Sequence, residues 1–177
     1  LLARGAAEAH EQRRAAQVIA RQASIMKVLL GDLLDVSSLR RGRMVLRRVA
    51  TSGQQVARAA VESAMPVIEQ GRHILALAIS DEPMPLEVDP IRLTQVLSNL
   101  LANAAKYTPA GGRLSLAARP EQGHAVFEVS DNGIGMEQDA IDSMFEMFRQ
   151  SEQAHAMAAG GLGIGLALVR TIVDMHG

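Results

Sequence analysis

The chain has 177 residues, a formal net charge of −1 and no cysteine. That length allows one or two domains with a real core. The balanced charge argues against a general nucleic-acid or membrane-surface binder, and the missing cysteines exclude disulfides and thiolate metal sites.

From about Glu8 to Leu39 the only strong helix breaker is Gly31. Ile19, Met26 and Leu33 recur every seven residues, with Ala23, Leu29, Leu30 and Val36 between them. The pattern predicts a helix of about 32 residues, about 48 Å long. One apolar stripe cannot be buried alone, so the helix is expected to pair in a dimeric bundle, the alternative being packing on its own domain. The chain opens inside a helical pattern at Leu1 and stops at His176-Gly177, which reads as a piece of something longer. No apolar run approaches the ~20 residues of a membrane span, and no signal peptide opens the chain. A cytoplasmic setting without membrane contact is the expectation. The run Arg40-Arg41-Gly42-Arg43 marks a boundary between residues 1–42 and 43–177.

Beyond it, Met44 to Val49 alternates as a strand would, and Gln54 to Gln70 reads as a helix with an irregularity at Pro66. Ile74 to Ile79 is an apolar strand, and Leu86 to Val88 a short one. Asp89 is a good N-cap, with Pro90 at the first helical position. That helix runs to about Lys106, with Leu93, Val96, Leu97, Leu100 and Leu101 on its apolar face. Strands are expected at Arg113 to Arg119 and Ala125 to Ser130, joined around Glu121-Gln122-Gly123. A short helix, Glu137 to Met144, a polar loop, Gln150 to Ala159, and a last helix, Leu166 to Met175, follow. The rings are only Tyr107, Phe127, Phe145 and Phe148, so Leu, Ile, Val, Ala and Met must build the core. Strands and helices alternate around a hairpin-like pair, which indicates an α+β two-layer sandwich.

Three segments carry chemistry. Asn99 and Asn103 lie four apart on one helix face, and Lys106 joins them near the helix end. Amide oxygens one turn apart suit a hard cation such as Mg²⁺, and a lysine suits phosphate oxygens. The same residues also fit the solvated face of an amphipathic helix. Asp131-Asn132-Gly133-Ile134-Gly135-Met136 closes a strand with a carboxylate and two spaced glycines. That lets backbone approach a flat or phosphorylated ligand closely, or simply makes a turn. Gly160-Gly161-Leu162-Gly163-Ile164-Gly165-Leu166 leads into a helix whose free N–H groups favour an anion, or serves as a hinge.

The order Asn99-x-x-x-Asn103-Ala104-x-Lys106-Tyr107-Thr108-Pro109, Asp131-x-Gly133-x-Gly135, Phe145-Glu146-x-Phe148, Gly161-x-Gly163-x-Gly165-Leu166 resembles the N, first glycine, F and second glycine boxes of bacterial two-component sensor histidine kinases. The resemblance implies the Bergerat sandwich shared with gyrase-type ATPases. It also implies Mg-ATP binding, transfer of the terminal phosphoryl group to a histidine, and relay to a response-regulator receiver domain. By that resemblance Asn103 would hold Mg²⁺ with Asn99 assisting, Lys106 would touch phosphate and Tyr107 would line the pocket. Asp131 would accept from the adenine amine, and Gly133 and Gly135 would let the chain pass the base. Backbone N–H groups of Gly161, Leu162, Gly163, Ile164, Gly165 and Leu166 would hold the phosphates beneath a lid at 150–160. Asp32 to Gly42 resembles the end of the second dimerisation helix.

Two features depart from the pattern. His10-Glu11-Gln12-Arg13 echoes the phosphoacceptor box but lacks its proline and lies too near Asp35, which places the acceptor upstream of Leu1. This piece is then expected to bind nucleotide without phosphorylating itself. The lid residues Ser151 to Ala159 carry no Lys or Arg. The rival readings are a nucleotide-binding scaffold without transfer, and a gyrase, Hsp90 or MutL-type ATPase. The latter places a glutamate base where Asn99 stands.

Overall fold

The computed structural model describes residues 19, 22–23, 26, 30–31, 33–35, 37, 41, 44–136, 141, 143–145 and 163–177. The chain divides into two compact units, Leu1–Met44 and Val45–Gly177. In the first unit the described residues from 19 to 37 are helical. Their apolar members Ile19, Met26, Leu30, Leu33 and Leu34 are exposed. Arg41 Nε donates to the Ser37 carbonyl at 3.1 Å. His10 lies outside the described residues.

In the second unit the chain runs β1 (Val49–Ser52), α1 (Gly53–Gln70), β2 (Ile74–Ile79), β3 (Pro85–Val88), α2 (Pro90–Tyr107), β4 (Arg113–Glu121), β5 (His124–Asp131), a 3₁₀ turn (Ser143–Phe145) and α3 (Gly165–His176). β1 pairs antiparallel with β3. β2, β4 and β5 form a mixed sheet in that order, β2 parallel and β5 antiparallel to β4. α1 and α2 pack on this sheet and α3 packs on α2, so the two-layer α+β expectation describes the unit.

Local chemistry explains the boundaries. Ser52 and Gln55 form a reciprocal capping box at the start of α1. The helix runs through Pro66 to Gln70, with Gly71 as its C-cap, and presents Val56, Ala57, Ala60, Val61, Ala64 and Ile68 to the interior. Asp89 caps α2 by accepting from the Ile91 and Arg92 N–H groups, both at 3.1 Å, and Pro90 stands at its first turn. Gln122 and Gly123 have φ of 50° and 84°. This two-residue turn closes the β4–β5 hairpin with the twist antiparallel strands require. Leu114, Leu116 and Ala118 alternate inward from β4 and meet Leu101, Ala104 and Ala105 of α2.

The expected strand at Met44 to Val49 is corrected: pairing starts only at Val49. Its partner β3 ends at Val88, opposite Val49, because Asp89 turns the chain into α2. The residues before Val49 are held by other means. The Arg47 N–H donates to Asp89 Oδ2 at 2.9 Å, and the Arg48 guanidinium reaches the Met175 and His176 carbonyls at 2.8 and 3.3 Å. The expected helix from Glu137 to Met144 is corrected at its end, where Ser143–Phe145 form a 3₁₀ turn.

Candidate functional site

A cleft of about 220 Å³ opens beside α2. Asn103, Ala104 and Tyr107 reach it from α2, Val129 and Asp131 from β5, Ile134, Gly135 and Met136 from the loop after β5, and Leu166 from the start of α3. Its wall is mostly apolar with a few polar groups, as small-molecule sites generally are. Three segments far apart in sequence therefore converge on one cavity.

The helical period decides which α2 residues take part. Leu93, Val96, Leu97 and Leu101 are buried and anchor the helix. Asn99, Asn103 and Lys106 stand on the other face, half-buried. Among the described residues the Asn99 and Asn103 amides have no side-chain hydrogen-bond partner. Asn99 Nδ2 lies 4.0 Å from the position a Cβ on Gly165 would take, so it sits beside the first turn of α3. The Lys106 ammonium lies 4.7 Å from the centroid of the Tyr107 ring. The donor set here is amide oxygen rather than imidazole or thiolate. Among the described residues no three His, Cys, Asp or Glu side chains come together. Such a set fits a hard cation that keeps several waters and takes its remaining oxygens from phosphate.

The turn after β5 is bound to the end of α2. The Ile134 N–H donates to the Tyr107 carbonyl at 3.2 Å, and the Asn132 side chain accepts from Arg113 N–H at 2.7 Å. Gly133 N–H donates to Asp131 Oδ1 at 2.8 Å, and the Thr108 hydroxyl donates to the same oxygen at 3.3 Å. A Cβ on Gly133 would stand 2.4 Å from the Tyr107 carbonyl oxygen, so only glycine fits there. Gly135 instead needs its freedom for a φ of 68°.

α3 begins without a side-chain cap, its N-cap Ile164 having helical φ and ψ. The first N–H groups of a helix have no intrahelical partner, which leaves a partial positive charge at this end. Leu166 of that turn lines the cleft, while Ile164 is buried and fixes the turn. Gly163 has a φ of 67°. Gly161, Leu162, Phe148 and the lid at 150–160 lie outside the described residues. Phe145 packs near α3, with the Arg170 guanidinium 6.0 Å from its ring.

Thr108 stands in the sequence pattern with no role attached to it. In the structure it is buried and hydrogen-bonded to Asp131. Its place directly after Lys106-Tyr107 was the available signal. The cleft residues Leu100, Val129 and Met144 carried no signal, because their types fit any core.

Residues 88–177 match the family described as histidine kinase-, DNA gyrase B-, and HSP90-like ATPase. The chain is 33% identical over 181 residues to the autoinducer 2 sensor kinase/phosphatase LuxQ of Vibrio parahaemolyticus, a match that spans 98% of this chain and 21% of that protein. It is 28% identical to the full-length ShkA structure in complex with AMPPNP, with a TM-score of 0.74 over 93% of this chain and 34% of the other. The histidine kinase ThkA, solved in complex with the response regulator TrrA, shares the fold at 19% identity, with a TM-score of 0.68 over 90% and 43% of the two chains.

Proposed function

The chain belongs to the histidine kinase-, DNA gyrase B-, and HSP90-like ATPase family, and from that premise we propose that residues 45–177 hold Mg-ATP for phosphoryl transfer to a histidine of a two-component sensor kinase. The chain spans about a fifth of the length of the curated relative quoted, at 21%. The observation that carries the reading is the convergence of Asn103, Asp131, Gly135 and Leu166 on one cleft.

In this reading the adenine ring lies against the apolar wall of Leu100, Ala104, Val129 and Met136, with its amine at Asp131. Gly133 and Gly135 keep the backbone close to the ring. Asn103, with Asn99 beside it, would hold Mg²⁺, which neutralises phosphate charge. Lys106 would contact phosphate oxygens and Tyr107 would line the pocket. The N–H groups from Gly161 to Leu166 would cradle the phosphate chain. Positioning and charge neutralisation are what such a domain supplies to phosphoryl transfer. The phosphorylated histidine would pass its group to a receiver domain like the partner in the ThkA complex. The helical residues of the first unit, with their exposed apolar side chains, would pair in a homodimer. No helix among the described residues is long and apolar enough to cross a membrane, and a cytoplasmic setting belongs to the same proposal.

Calorimetric titration of Mg-ATP into wild type, Asn103→Ala and Asp131→Ala tests the site. Both variants are expected to bind at least tenfold more weakly, the loss of one charge-assisted or metal contact. Two variants that bind as wild type does would show the site to be elsewhere.

A further inference from the structure

Asp131 offers two oxygens, and the structure treats them differently. Oδ1 accepts from the Gly133 N–H at 2.8 Å and from the Thr108 hydroxyl at 3.3 Å. Among the described residues nothing donates to Oδ2, and Asp131 lines the cleft. A carboxylate χ2 is a broad torsion that its own covalent geometry does not fix. The two donors on Oδ1 therefore decide which oxygen the ligand meets.

Thr108 is well held for this task. It is buried, at 4% exposure, in the first residue after α2. Its Cγ2 lies 2.2 Å from where a Cβ on Gly112 would be, and its Oγ1 lies 2.9 Å from where a Cβ on Gly133 would be. Neither glycine has a positive φ that would call for it on backbone grounds. At Gly112 the Thr108 methyl is the nearest obstacle, so glycine there leaves the slot the methyl fills. At Gly133 the Tyr107 carbonyl oxygen and Asp131 Oδ1 are nearer still, and the glycine they require also leaves the hydroxyl its path to Asp131.

We propose that Thr108 is the positioning residue for base selection: its hydroxyl occupies Asp131 Oδ1 and so presents Oδ2, a pure acceptor, to the 6-amino group of an adenine nucleotide. This rests on the reading of the cleft as the ATP site. An acceptor there attracts an amine and repels the guanine carbonyl oxygen. With the hydroxyl removed only the Gly133 N–H holds Oδ1, so the carboxylate is fixed less firmly and discrimination between the bases falls.

The test uses the whole chain, with Thr108→Val removing the hydroxyl at nearly constant shape and Thr108→Ser keeping it. Mg-ATP, Mg-GTP and Mg-tripolyphosphate are titrated into each. T108V is expected to lose about fivefold in ATP affinity, the value of one long hydrogen bond to a charged group. Its preference for ATP over GTP falls with it, while tripolyphosphate binding is unchanged and T108S keeps the wild-type preference. A purely structural role would weaken tripolyphosphate equally and overturn the proposal. T108V with the wild-type preference would overturn it as well. If T108V does not fold, Thr108→Ala against T108S makes the same comparison. Asp131→Ala separates the premises: if it keeps the wild-type preference, the ATP-site reading itself fails. If Asp131→Ala loses the preference and T108V keeps it, only the role of Thr108 fails.

Discussion

Asp89 joins more distant parts of the chain than any site residue does. Its carboxylate caps α2 and also accepts from the Arg47 N–H, while its own N–H donates to His176 Nε2 at 3.1 Å. His176 Nδ1 in turn donates to the Ile172 carbonyl at 2.7 Å. The helix that carries Asn99 and Asn103 is thus tied at its start to the end of the helix whose first turn lines the cleft. Burial works against the Asp89 charge, but the N–H groups of Arg47, Arg92 and Ile91 and the Arg92 guanidinium outweigh it and hold its pKa below the ordinary value. A carboxyl with a lowered folded pKa stabilises fully above its unfolded pKa, and that share is lost as pH falls through the folded one. Asp89→Asn would keep an oxygen for the helix cap but set an amide donor against the Arg47 N–H. The variant is expected to be less stable at neutral pH by about 1–2 kcal/mol, and the gap should close below about pH 4. Denaturant melts from pH 7 to pH 3 check this, and a gap independent of pH would contradict it. The N-cap was legible from Asp89-Pro90 alone. Its bonds to Arg47 and His176 were not, since they join residues 42 and 87 positions apart.

Helices and strands followed their local codes closely. The helix expected at Gln54 to Gln70 and the Asp89-Pro90 cap of α2 stand where periodicity and capping chemistry put them. The Met44 to Val49 segment did not follow, because alternation reports a strand only when a partner of equal length exists, and β3 stops at Val88. The β4–β5 turn shows the opposite case. Its location was readable from Gln122-Gly123, but the cost of Gln122 at a φ of 50° was not. Gln122→Asn keeps the turn with a residue that tolerates that conformation, and is expected to raise stability by up to about 1 kcal/mol. A thermal melt with an unchanged or lower midpoint would count against this account of the hairpin.

Among the described residues the main buried cluster of the second unit runs from Ala57 to Val129, with Leu168 and Ile172 of α3 also buried. A chain of residues 45–177 alone is therefore expected to fold and to keep Mg-ATP binding. Its melting temperature should rise with nucleotide, by about 2.7 kcal/mol of added stability at a hundredfold excess over Kd. Differential scanning fluorimetry on the isolated unit checks this, and loss of binding with retained folding would show that the first unit contributes to the site. The sequence by itself determined the element order, the α2 cap and the three candidate site segments, because period, capping and glycine spacing act within a few residues. Only the tertiary structure decided that those segments share one cleft and that a buried threonine orients the carboxylate within it. Both depend on contacts between residues distant in the chain, where a single sequence carries no signal of proximity.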